Sequence, residues 1–360
     1  MPPEPGMRLK LNKRIIFAYP GDISTLTGGY IYDAKIITGL RDIGLNITTL
    51  NLCEGFPYPT QEIHQKATQL LADVAHNSII IMDGLALGVL PEAAKIISQQ
   101  GQLIALVHHP LALETGTTEQ NAKAFKVTET AALSYANHVI VTSPTTAKIL
   151  YQDYHIAQNR LHIALPGIEP ASFSNGSKST ITQLLSVAAI SPRKGFDVLV
   201  AALGTLTSLK WHLTIAGDIT RAPNTVATLV QQIHEAGLRD RITFLGSVSA
   251  QIVSQLYAKS DIFVLASRYE GYGMAYAEAL AHGLPIIGTT GGAIPDVVPL
   301  DAGILVPPNA TEPLAGALSL LIQNKAMRAS FAKGAKKAAY ALPRWSDTIN
   351  IFKNILEHLK

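Results

Sequence analysis

The stretch Ser267-Arg268-Tyr269-Glu270-Gly271-Tyr272-Gly273-Met274-Ala275-Tyr276-Ala277-Glu278-Ala279-Leu280-Ala281-His282-Gly283-Leu284-Pro285 decides how this chain is read. Seven residues separate its two carboxylates, Glu270 and Glu278. Glu270 follows an apolar run, Ile262 to Ala266, that reads as a strand. Glu278 is expected inside the following helix, about two turns from its start. At 3.6 residues per turn, an offset of seven or eight returns to nearly the same face, so both carboxylates are expected to look into one cleft. Between them, Gly271 and Gly273 would expose backbone N–H groups at a helix N-terminus, where anions bind. An acceptor pair for hydroxyls beside a cradle for phosphate suits a nucleotide sugar.

Outward from this stretch, short apolar runs alternate with helical segments along the whole chain. Arg14–Tyr19 reads as a first strand and Tyr30–Ile43 as the helix after it. Asn46–Leu50, Ser78–Asp83, Gln102–His108 and His138–Thr142 read as further strands. A second series starts after Pro166-Gly167-Ile168, with strands at Leu184–Ala188, His212–Ala216, Ile242–Leu245, Ile262–Ala266 and Pro285–Gly288. Such alternation argues for doubly wound parallel sheets. The polar segment Glu169–Thr180 reads as the linker between the two. The expected division is therefore residues 1–168 and 169–342.

Composition narrows the function classes. A chain of 360 residues, 48% hydrophobic and 15% charged, is too long for one ordinary core and suits two. Its formal net charge is only +3, with no Lys/Arg-rich run of the kind nucleic acid requires. The single cysteine, Cys53, excludes an internal disulfide and a cysteine-based zinc site. No stretch reaches the roughly 18 apolar residues of a membrane span. Met1–Arg14 carries prolines and charges but no apolar signal-peptide core, so a cytoplasmic location is expected, with peripheral membrane contact left open.

Several motifs follow strand ends, where ligands of open α/β sheets bind. Thr27-Gly28-Gly29-Tyr30 follows the first strand and opens the first helix, as a phosphate-approaching turn does. Pro192-Arg193-Lys194-Gly195 sits between a strand and a helix of the second series. His108-His109-Pro110 ends a strand of the first, and adjacent strand residues face opposite sides, so one of the two imidazoles is expected to enter the cleft. No His/Asp/Glu cluster of ligand spacing is evident beside them, and no metal site is expected. Leu111–Gly116 could shape an acceptor site, with Glu114 as a candidate. Gly291-Gly292 opens another loop before a helix.

Taken together, these motifs resemble the Glu-x7-Glu signature and accompanying loops of the retaining glycosyltransferases of family 4, which have the GT-B fold; the resemblance covers nearly the whole chain. It implies two Rossmann-like doubly wound domains with a cleft between them, the final helix, Thr348–Leu359, crossing back onto the first domain after Arg344-Trp345. It implies that Glu270 contacts the donor sugar and Glu278 the ribose hydroxyls. Lys194 would bind the donor diphosphate, with help from the backbone at Gly28, Gly29, Gly271, Tyr272, Gly273 and Met274. His108, favoured over His109 by its spacing to Pro110, would orient the sugar. One departure stands out. The family usually carries Gly-Arg where this chain has Ala188-Ala189, so the second phosphate cation is missing from its place, and Arg193 is the candidate substitute.

The expected reaction is transfer of a hexosyl unit from a nucleotide-diphosphate sugar to an acceptor hydroxyl, with retention of configuration, no cofactor, no metal, and domain closure on binding. The acceptor, whether glycan, metabolite or lipid, is not readable. A GT-B epimerase or phosphorylase and a catalytically silent GT-B subunit are the rival readings.

Overall fold

The computed structural model describes residues 13–359; most of the Met1–Arg14 segment lies outside them. The chain divides into two compact units, one formed by Met1–Gly167 with Pro343–Lys360 and the other by Ile168–Leu342. The first unit thus ends one residue before the boundary expected from the sequence.

The first unit holds six parallel strands: β1 (Arg14–Tyr19), β2 (Ile47–Asn51), β3 (Ser78–Asp83), β4 (Gln102–Val107), β5 (His138–Val141) and β6 (Leu161–Ile163). Their order across the sheet is β2-β1-β3-β4-β5-β6. The winding order therefore reverses between β1 and β3, and a ligand crevice forms outside the carboxyl ends at such a switch point. Alternation along the strands builds two cores. Ile15, Phe17, Ile79, Ile81, Ile104, Leu106 and Ile140 face one side of the sheet. Ile16, Ala18, Ile80, Met82, Leu103, Ala105, Val107, Val139 and Val141 face the other. Successive side chains on a strand point to opposite faces, so nearly continuous apolar strands need helices on both sides.

The C-terminal helix Trp345–His358 supplies part of one such layer. Phe352, Ile355 and Leu356 are buried in the core that holds Tyr32 and Ile36. The helix starts three residues earlier than the sequence suggests, because Asp347 accepts a hydrogen bond from the Arg344 amide at 2.8 Å and caps it. Gly167 meets its first turn so closely that an added Cβ would overlap the Trp345 backbone.

The second unit holds β7 (Thr182–Val187), β8 (Trp211–Ala216), β9 (Ile242–Gly246), β10 (Ile262–Val264), β11 (Ile286–Thr289) and β12 (Gly303–Val306), all parallel. The order β12-β11-β10-β7-β8-β9 is the dinucleotide-fold order, with its switch point between β7 and β10. No helix among the described residues is long and apolar enough to cross a membrane.

Candidate active site

In the second unit, the two strands that flank the switch point each deliver part of a charged cluster. After β7 the chain makes a short 3-10 turn over Pro192–Lys194 and enters a helix through Gly195 in the left-handed region. An added Cβ on Gly195 would overlap the Ala266 carbonyl beyond β10, so glycine lets the two strand ends approach. The approach brings Lys194 and Arg193 to Glu270. Lys194 Nζ donates to Glu270 Oε1 at 2.6 Å, and Arg193 Nη1 donates to Glu270 Oε2 at 2.9 Å and to the Tyr269 carbonyl at 3.0 Å. Ser267 Oγ donates to Oε1 at 2.6 Å. Burial opposes a charge on Glu270, but the Lys194 and Arg193 charges overcome it and hold the carboxyl at about 2. Both cations thus converge on one ionised carboxylate.

Arg268 ties the two segments together. Its guanidinium forks onto Asp197 at 3.0 and 2.6 Å, donates to the Pro192 carbonyl, and reaches Asn309 Oδ1 at 2.7 Å. Its amide donates to the Arg193 carbonyl at 2.7 Å. Gly291 and Gly292 back the same loop. An added Cβ on Gly292 would overlap the Glu270 carbonyl, and the Ala293 amide donates to that carbonyl at 2.9 Å. Neither Arg268 nor Ser267 was singled out from the sequence, since each reads there as an ordinary loop residue.

Glu278 is placed differently from expectation. The helix spans Met274–Ala281 and is capped by Gly273 at φ 105°, so Glu278 lies one turn in rather than two. Glu270 lies outside the helix, pairing as an isolated bridge with Gly292. The shared-face argument therefore does not apply: Glu270 is placed by the β10 loop and Glu278 by the helix. Tyr257 Oη lies 3.1 Å from Glu278 Oε2, and desolvation raises the Glu278 pKa. Tyr272, between the glycines, is buried, and burial pushes its phenol up to about 12.

The first unit builds a separate cluster at its own switch point. Thr27 caps the helix Gly28–Asp42, and Gly29 lies against the His108 ring, its would-be Cβ 3.4 Å from Cδ2. Four residues on, the same helix face carries Asp33, fully buried. Asp83 ends β3 and caps the next turn by accepting from the Leu85 amide at 2.6 Å. His108 Nε2, just past β4, sits 3.1 Å from Asp33 Oδ1 and 3.5 Å from Asp83 Oδ2. Burial disfavours the imidazolium, but the two carboxyls outweigh it and push His108 up to about 10. Burial and Asp83 push Asp33 up to about 8. Asp83 is held below the usual range, its burial outweighed by hydrogen bonds from His108 and Leu85 and by its contact with Asp33.

This cluster corrects the expectation that no carboxylates accompany the histidine pair. The three donor atoms lie within 4.8 Å of one another, close enough for an ion to bridge. The 3.1 Å contact to Asp33 is an ordinary hydrogen-bond length, and the 3.5 Å contact to Asp83 is an ion-pair distance. His109 turns to other partners, Glu114 Oε2 at 3.0 Å, while Glu114 Oε1 accepts from the Thr115 amide. Glu129, also missed, is buried beneath that loop and accepts from the Leu111 amide at 3.1 Å; burial pushes its carboxyl to about 8.

Comparison with known proteins bears on the fold and on the second unit's family. Residues 168–338 match the family model described as glycosyl transferases group 1. Mannosylfructose-phosphate synthase of Agrobacterium fabrum is 28% identical over 173 residues, which are 43% of this chain and 38% of that enzyme's length. Sucrose-phosphate synthase from Thermosynechococcus elongatus superposes with a TM-score of 0.80 at 20% identity, covering 96% of this chain and 99% of that one. Anabaena Alr3699/HepE in complex with UDP and glucose gives 0.75 at 19% identity, covering 96% and 100%. The chain therefore has the two-domain α/β GT-B fold, and nearly all of its second unit matches the glycosyl transferases group 1 model.

Proposed function

We propose that this chain is a retaining, metal-independent glycosyltransferase of family 4 that moves a hexosyl unit from a nucleotide sugar to a hydroxyl acceptor. The observation that carries the reading is the Lys194–Glu270–Arg193 cluster at the second unit's switch point. Two cations held side by side at the strand ends favour an anionic diphosphate. The amides at Gly273 and Met274, opening an eight-residue helix, add donors for the same phosphates. Arg193 takes over from the arginine the family carries where this chain has Ala189. Glu278 accepts the ribose hydroxyls, and Glu270, while orienting both cations, keeps lone pairs for a sugar hydroxyl.

The acceptor hydroxyl attacks the anomeric carbon on the face from which the diphosphate departs. The C–O bond to phosphate breaks with its electron pair going to the diphosphate, and a phosphate oxygen takes the acceptor's proton. Lys194 and Arg193 stabilise the charge that develops on the leaving group, and the fixed loops keep these donors oriented before the reaction begins. The near-neutral first 168 residues favour a soluble or polymer-linked acceptor over anionic lipid, which requires a basic face.

The test is product formation from a panel of α-linked sugar nucleotides and acceptors in excess EDTA, with the new linkage assigned by NMR. An α-linked product is expected. A β-linked product refutes retention, and activity abolished by EDTA and restored by a divalent ion refutes metal independence.

A further inference from the structure

In the first unit the transferase resemblance gives roles to His108 and the Gly28-Gly29 turn, yet two buried carboxyls stand behind His108. Asp33 and Asp83 belong to different elements, and both are shielded from solvent. One oxygen of each and a ring nitrogen of His108 lie within 4.8 Å of one another. Two ionised carboxylates at this distance in a dry site repel strongly, so such a pair keeps one proton. The geometry says which oxygen holds it. Asp33 Oδ1 faces His108 Nε2, while Asp33 Oδ2 is buried and accepts from no donor. A buried carboxylate oxygen left without a donor is costly; one that carries a proton and donates it to the neighbouring carboxylate is satisfied. Asp83 is better placed to stay charged, because it accepts from the Leu85 amide and lies beside the imidazole.

We propose that Asp33 and Asp83 form a one-proton carboxyl pair that positions His108, with Asp33 neutral, Asp83 charged, and His108 doubly protonated and clamped through Nε2. The Tyr32 ring meets His108 edge-on at 5.3 Å and Gly29 lies against it, so the ring's tilt is fixed as well. With Nε2 held by the carboxyls, Nδ1–H is left as a charged donor. His108 follows β4, beside the β1/β3 switch point where a bound molecule's oxygens would lie. Asp33 and Asp83 are positioning residues: they touch His108 rather than the substrate. If the proposed transfer holds, the oxygen that Nδ1–H meets belongs to a substrate hydroxyl. That consequence rests on the transferase reading; the protonation pattern does not.

The two positions should respond differently to the same change. Asparagine copies a protonated Asp33 atom for atom, its Nδ2 donating to Asp83 and its Oδ1 accepting from Nε2. At position 83 it removes the charge that keeps the imidazole protonated, while its Oδ1 still caps Leu85. Ring nitrogen shifts of His108, read by NMR on 15N-histidine protein in EDTA at pH 7.5, are expected to show imidazolium in the wild type and in Asp33→Asn. A neutral ring is expected in Asp83→Asn. Turnover should fall by about 10²-fold in Asp33→Ala, the scale for a misplaced catalytic group, and recover in Asp33→Asn, with donor KM little changed. It should stay low in Asp83→Asn. Thermal melts establish that each variant is folded, and the spectra of the wild type and Asp33→Asn suffice if Asp33→Ala is not. A neutral His108 in the wild type, or a ring that loses its charge in Asp33→Asn, overturns the proposal. Absence of transfer by the wild type removes only the catalytic consequence, because the spectra need no substrate.

Discussion

Glu270→Gln is the most informative single change in the second unit. The amide keeps the size of the side chain but leaves Lys194 and Arg193 facing a neutral group in a largely buried site. Two independent routes give the cost. A carboxyl held at about 2 rather than 4.5 is favoured in its charged form by about 3 kcal/mol, at 1.36 kcal/mol per tenfold step. Breaking a buried ion pair from one side costs roughly 3–5 kcal/mol, mostly from the cation left behind. Glu270 is 6% exposed, so solvent screening removes little of either figure. The assay is urea unfolding of wild type and variant from pH 7 down to pH 2. Because the folded-state pKa lies below the unfolded one, the wild-type contribution is fully present above about pH 4.5 and is lost as pH falls through about 2. The two stability curves should therefore run about 3 kcal/mol apart at neutral pH and converge toward pH 2. A gap below 1 kcal/mol at pH 7, or one that does not narrow in acid, refutes the claim that the cluster is a stabilising ionised hub.

Three further changes separate the roles around it. Lys194→Ala should lower turnover by about 10²-fold or more, as loss of a leaving-group cation does, and should also lower the melting temperature, because Glu270 loses one of its two cations; near wild-type turnover would confine Lys194 to holding Glu270. Glu278→Gln should weaken nucleotide binding by about 1.5–3 kcal/mol in calorimetry, because a charged acceptor of ribose hydroxyls becomes a neutral one; unchanged affinity in a folded variant removes the assignment. Gly292→Ala should destabilise the second unit by at least about 1–3 kcal/mol, since its φ of 63° and the Glu270 carbonyl beside it both oppose a Cβ; an unchanged melt would show that the loop can shift.

Much of the fold was legible because buried parallel strands must be apolar nearly throughout. Arg14–Tyr19 and Ser78–Asp83 have in the structure the bounds read from their residues. The two strands missed are short: Leu161–Ile163 is interrupted by His162, and Gly303–Val306 offers only the three-residue apolar run Ile304-Leu305-Val306 before Pro307-Pro308. The reasoning about Glu270 and Glu278 failed for a specific reason. It carried helical periodicity across Gly273, whose positive φ begins the helix only after Glu270 has been placed by the sheet. A Gly-x-Gly directly before an apolar run is a readable sign of such a start. Asp83 also left a trace, as the charged end of the run Ser78-Ile79-Ile80-Ile81-Met82. Its meeting with Asp33 and His108 left none, because only the order β1-β3-β4 in the sheet brings them together.

That order explains a contrast in charge. Both units gather buried ionisable groups at the carboxyl ends of strands beside a switch point, yet the balance differs. Arg193 and Lys194 meet at Glu270, which sets two cations beside each other at the strand ends. His108 stands against two carboxyls, and with one proton on Asp33 that group is neutral. An anionic diphosphate gains Coulomb energy only at the first kind of site. At the second, a charged imidazole still offers a strong hydrogen bond to a neutral hydroxyl, without the net field that would draw phosphate there instead. On this reading the extra proton on Asp33 contributes to specificity. Ionising Asp33 would make the His108 cluster anionic and turn it against any anionic ligand.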